Sequence, residues 1–192
     1  MKLSDSPDPL LLRLLGRGHH AAFDELVSRH GAAVKAYALR MLHNPEQAEE
    51  IYSETFLRVA TAQGAWEERG TVRGWLFTIA HRLCIDVLRR RATERRLMPG
   101  VLEMSSTYSV PASPEASALM GEQAAMLERA LASLPVEHRQ IVLLRVLHGL
   151  SASECADALG LREDQVHSQL SYARRRLREH MEQSSERQRE AR

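Results

Sequence analysis

Apolar residues recur along this chain at intervals of three and four, while alternation at two is scarce, so the pattern predicts helices throughout and an all-α fold. A first helix is expected from about Pro9 to Arg17. A second, from about His20 to His43, would turn Phe23, Leu26, Val27, Val34, Tyr37, Ala38, Met41 and Leu42 inward. Asn44-Pro45 ends it, because the residue before a proline is pushed out of the α region. Pro45 suits a first helical position, and Glu46, Glu49 and Glu50 complement the positive end of the next helix dipole. That helix would bury Ala48, Ile51, Tyr52, Thr55, Phe56 and Val59. After a loop around Gly64 to Gly70, a helix of about Thr71 to Arg96 carries the stripe Val72, Trp75, Leu76, Ile79, Leu83, Val87 and Leu88. Trp75 lies on that stripe and reads as core, whereas Trp66, in a polar loop, is open to contact with a partner or a base.

From about Met98 to Pro114 the periodicity dissolves into Pro, Gly, Ser and Thr, the composition of a flexible linker. Periodicity resumes near Glu115, runs through Leu127, Ala130, Leu131 and Leu134, stops at Pro135, and restarts through Ile141, Leu144, Arg145 and Leu147 to Gly149. Two small helical domains joined by a flexible linker follow, with boundaries at 1–97, 98–114 and 115–182. The polar tail, 183–192, is expected to fray.

The sharpest local signal begins at Gly149. Ser151 and Glu154 have capping-box spacing, Gly160 can take the left-handed conformation that stops a helix, and a second helix begins two or three residues later. That is helix-turn-helix spacing, with Cys155, Ala156, Leu159, Leu161, Val166 and Leu170 filling the corner. In such a unit the second helix enters the major groove, which makes Gln165, His167, Ser168, Ser171 and Tyr172 candidates for base edges. Arg174, Arg175 and Arg176, followed by Arg178, would meet phosphates. Arg162 is a poor N-cap, so the second helix is expected to begin slightly late. A packed helical domain whose arginines only solvate one face would show much of the same pattern.

Composition narrows the classes. With 44% apolar residues the chain has enough to build a core, and its longest apolar runs fall far short of the roughly 20 residues a membrane span needs. The polar, proline-containing start lacks the plan of a secretory signal, so a cytoplasmic location is expected. Cys84 and Cys155 have no metal-ligand spacing and read as buried apolar residues, with no cofactor implied. The net charge of +1 conceals clustering: six arginines lie between Arg82 and Arg96, and five between Arg162 and Glu179.

Three stretches together resemble a known family. Leu134-Pro-Val-Glu-His-Arg-Gln-Ile-Val-Leu-Leu-Arg-Val-Leu-His-Gly-Leu-Ser, continuing to Ala158-Leu-Gly-Leu, is similar to sigma region four. Ala48-Glu-Glu-Ile-Tyr-Ser-Glu-Thr-Phe-Leu-Arg-Val resembles the polymerase-docking helix of region two. Val72-Arg-Gly-Trp-Leu-Phe-Thr-Ile-Ala-His-Arg-Leu-Cys-Ile-Asp-Val-Leu-Arg-Arg-Arg resembles its promoter-melting helix. With no third domain between them, the chain is identified as a member of the extracytoplasmic-function sigma factors of the sigma-70 family.

The resemblance implies a monomer that binds core RNA polymerase and promoter DNA, held in check by an anti-sigma factor. Glu50, Ser53, Glu54 and Arg58 would face the polymerase clamp. Trp66 to Gly70 and the first half of the Val72 helix would border the pocket for an unstacked base of the minus-ten element. Arg73, Arg82, Arg89, Arg90 and Arg91 would serve DNA there, and the second helix of the helix-turn-helix would read the minus-thirty-five element. The chain departs from the family pattern with Ser53 for Gln, Arg82 for Asn, and His167-Ser168-Gln169 for Lys-Ser-Arg. The last change removes two positive charges and leaves open a second reading, a sigma-like decoy that binds an anti-sigma factor without driving transcription. A dimeric helix-turn-helix regulator would need a heptad seam, and an enzyme a nucleophile, a phosphate loop or metal spacing; neither pattern emerges.

Overall fold

The computed structural model describes residues 2–61, 66, 70–97 and 118–190. They are helical, with no strand among the described residues. A 3-10 turn, Leu3–Asp5, leads into α1 (Asp8–Gly16), α2 (His20–Leu42), α3 (Pro45–Thr61) and α4 (Val72–Leu97). The second half holds α5 (Ala118–Ser133), α6 (Val136–Val142), a π-helical turn (Leu143–Leu147), α7 (Ala152–Leu159) and α8 (Glu163–Glu190). The expected linker, 98–114, lies outside the described residues.

Local chemistry sets the boundaries. His43 takes φ 50° at the end of α2, and the Asn44 side chain accepts the Gln47 amide at 2.8 Å, so α3 starts at Pro45 with its cap in place. At the other end of the chain the backbone of the polar tail continues α8 as helix to Glu190. Once α8 is nucleated, a stretch of Glu, Gln and Arg interrupted only by Ser184 and Ser185, without Gly or Pro, extends it at little cost.

The first half is a bundle in which α2 packs on α1, α3 and α4. Leu11, Leu26, Val34, Tyr37, Ile51, Phe56, Leu76 and Phe77 are buried together, and Trp75 packs half-buried against them. Arg29 staples the N-terminus: its guanidinium donates to the carbonyls of Leu3, Ser4 and Ser6 and to Asp8, while its Nε donates to Glu25 at 2.7 Å. Cys84 and Cys155 are buried free thiols, and burial pushes each up to about 12.

The two halves, expected as separate units, pack on one another. α4 lies against α7, and α2 against α5 and α6, so a single apolar cluster runs through both. At its centre His148 stacks on Phe77 with centroids 4.6 Å apart and meets Tyr37 edge-on at 5.9 Å. Arg40 donates twice to Glu128, at 2.7 and 2.8 Å, and Arg139 donates to His43. Sequence periodicity assigns each residue to an inner face; it does not say that two inner faces will share one interior.

Candidate nucleic-acid interface

The helix-turn-helix forms as its spacing predicts. Ser151 Oγ accepts the Glu154 amide at 3.1 Å and Glu154 returns the bond to the Ser151 amide at 2.8 Å, closing both ends of the box. Gly160, at φ 65°, reverses the chain, and the Leu161 amide reaches back to the Ala156 carbonyl at 2.9 Å. Cys155, Ala156, Val166 and Leu170 are buried in the corner. α8 begins at Glu163, without the expected delay: the Gln165 side chain accepts the Arg162 amide at 2.9 Å, which is one half of a capping box, while Arg162 supplies no side-chain acceptor for the other half. Gln165 is therefore committed to starting the helix as well as facing outward.

The other candidates on α8 divide by occupation. His167, Ser168 and Ser171 are exposed, the two serine hydroxyls donating back to carbonyls one turn earlier. Tyr172 lies over His138 of α6 with centroids 4.4 Å apart, and Arg175 covers it at 5.3 Å. One face of its ring is thus used in packing. Arg174, Arg175 and Arg176 are all exposed; Arg176 meets Glu179 at 3.2 Å, while Arg175 is 3.9 Å from the same carboxylate. In water such pairs hold these side chains weakly and leave them free to exchange to phosphates.

On α4, Arg73, Arg82, Arg89 and Arg90 are exposed. Arg91 is not with them: it is half-buried and donates to the Leu42 carbonyl at 3.0 Å and to Gln47, tying the end of α2 to α3. Trp66 is half-buried against the core, and its indole N–H is buried without a partner among the described residues. Thr71 precedes α4, and its hydroxyl accepts the Gly74 amide at 3.0 Å while donating to Glu154 of α7. Burial raises the Glu154 carboxyl, but bonds from Thr71 and Ser151 outweigh it and hold the group below the ordinary carboxylate range.

On α3, Glu50, Ser53 and Arg58 stand on the exposed face and Glu54 is half-exposed, paired to Arg58 at 2.8 Å. Between them Leu57 is 56% exposed, an apolar residue in a polar face. Periodicity alone does not mark it as functional, although its place off the buried stripe is the available signal. Val146 and Leu147 are also exposed, and Leu147, expected on the periodic run, is rotated off it by the π-helical turn.

Together these features define a two-part helical DNA-binding protein, with a basic helix-turn-helix in one half and an arginine-lined helix in the other. The model for Sigma-70 region 2 matches residues 26–94, and that for Sigma-70, region 4, matches residues 124–177. ECF RNA polymerase sigma factor SigL of Mycobacterium tuberculosis is 33% identical over 160 residues, 80% of this chain and 85% of the relative. SigE of Mycolicibacterium smegmatis is 34% identical over 164 residues, 83% of this chain and 62% of that protein. In fold, the chain is similar to sigma factor RpoE of Bartonella quintana, solved with the anti-sigma factor NepR, at a TM-score of 0.72 and 24% identity, covering 83% of this chain and 96% of that one. The chain belongs to the ECF RNA polymerase sigma factors and is an alternative sigma factor.

Proposed function

We propose that the exposed side of α3, with Glu50, Ser53, Glu54, Leu57 and Arg58, docks on core RNA polymerase. Trp66 and the first half of α4, with Arg73 and Arg82, receive the minus-ten element, while Arg89 and Arg90 hold phosphates beside it. His167, Ser168 and Ser171 of α8 face the bases of the minus-thirty-five element, and Arg174, Arg175 and Arg176 its backbone. The observation that carries this reading is the exposed arginine triplet on a helix that the Ser151–Glu154 box and Gly160 set at helix-turn-helix geometry. Chemistry stays with the polymerase: the chain contributes binding and orientation, as a monomer in the cytoplasm, and needs no cofactor. The likeness in fold to a chain solved with its anti-sigma factor supports control of this chain by such a partner.

Run-off transcription with purified core polymerase on a mapped promoter tests the assignment. A promoter-dependent transcript that fails when Glu54 and Leu57 are replaced together by Ala supports it. The absence of a promoter-dependent transcript would favour the decoy that binds an anti-sigma factor without driving transcription.

A further inference from the structure

Glu154 serves two helices at once. Within α7 it completes the capping box, with its side chain accepting from the Ser151 amide at 2.8 Å. Across the junction between the halves it also accepts from the Thr71 hydroxyl at the start of α4. The receiving surface is shaped for it. A Cβ added to Gly74 would come within 2.9 Å of the Glu154 carboxylate oxygen and 3.2 Å of its Cγ, and one on Gly70 within 3.9 Å of that Cγ. Gly74 thus leaves a shallow seat beside Thr71 that a side chain there would fill, while Gly70, at φ 71°, turns the backbone at its edge in ordinary contact with Glu154. The seat lies at the positive end of the 26-residue α4, next to exposed Arg73. A helix start flanked by an arginine attracts anions, phosphate among them.

We infer that Glu154 is a built-in plug: in the free chain it occupies the Gly70–Thr71–Gly74 seat and must leave before single-stranded DNA can enter there. This rests on the assignment of the α4 start to the minus-ten element. Self-closure follows from the same contacts. With the seat filled, the first helix of the helix-turn-helix is held against the DNA-facing helix of the other half, and the rings of Tyr37 on α2, Phe77 on α4 and His148 just before α7 stay in contact across the same junction. Entry of a base or phosphate at the seat therefore favours separation of the halves, and separation frees the seat. By linkage each raises the other's probability.

The test uses the full chain and a fluorescent pool of random-sequence single-stranded DNA at low salt. Glu154→Ala empties the seat but weakens the α7 cap; Ser151→Ala weakens the same cap and leaves the carboxylate with Thr71. Glu154→Ala is expected to bind the pool roughly three- to tenfold more tightly than wild type, the scale of one competing charge-assisted contact, with Ser151→Ala near wild type. Hydrogen exchange of the residue 74–78 amides should quicken in Glu154→Ala alone. Glu154→Gln, which preserves the capping box, guards against misfolding of the Ala variant and should shift affinity in the same direction. Equal affinities for the Ala variants, or no gain in either Glu154 variant, overturns the plug. Wild-type run-off transcription, measured in parallel, separates the two failures: a chain that transcribes while its Glu154 variants bind like wild type loses only the plug.

Discussion

Arg29 shows how much one side chain can hold. It gathers three carbonyls and two carboxylates from the 3-10 turn, α1 and α2 into one half-buried cluster, where bonds to a charged group are strong. Arg29→Ala is expected to lower stability by about 2 kcal/mol, read as a fall of roughly 4–8 °C in thermal midpoint. Two histidines make stability depend on pH. Burial, with Arg82 and Arg89, pushes His81 down to about 4; burial, with Arg73 and Arg40, does the same to His148. Tyr37 Oη, 2.9 Å from His81 Nδ1, and Tyr37 and Phe77 around His148 are the other groups packed there. An unfolded histidine titrates near 6.5, so the unfolded chain takes up protons that the folded chain refuses between about 6.5 and 4. Stability is full above that window, falls as pH drops through it, and levels off below. At about pH 5 the loss should be roughly 1–2 kcal/mol per histidine, and His148→Phe should remove about half of it in urea titrations.

Among the elements, α8 concentrates the testable consequences. Its N-cap is Arg162, whose side chain caps nothing and instead pairs with exposed Asp164 at 2.9 Å. Arg162→Ser should stabilise the chain by about 0.5–1 kcal/mol, seen as a higher urea midpoint, because a hydroxyl cap outweighs an exposed ion pair. Replacing Arg174, Arg175 and Arg176 together by Ala should weaken promoter binding and flatten its dependence on salt, the slope falling by about 0.9 for each phosphate left unneutralised. An unchanged slope would remove the phosphate role. The start of α3, the Ser151–Glu154 box and the Gly160 turn were legible in the sequence because each depends on residues within one turn of the other. The outward or inward fate of Arg91 was not, since its partners Leu42 and Gln47 lie on other helices. Nor was the double use of Gln165 and Tyr172, because a residue type suited to base contact is equally suited to capping or stacking.

For the molecule as a whole, the decisive fact is the interior common to both halves. Composition around residues 98–114 suggested independent units; the rings of Tyr37, Phe77 and His148 join them through contacts between residues far apart in the chain, which periodicity cannot encode. Phe77→Ala should cost about 3–5 kcal/mol and, by hydrogen exchange, loosen α7 as well as α4. Exchange confined to α4 would mean the halves open independently. The π-helical turn at Leu143–Leu147 makes this joint possible. Its wider winding accommodates one more residue than an α-turn, and each residue in a helix advances about 100° around the axis. Rewinding the turn as α with all of its residues kept would carry His148 about 100° round the axis and off the phenyl ring, whereas removing one residue would restore the phase, so the halves stay coupled only while the extra residue is absorbed by the wider winding.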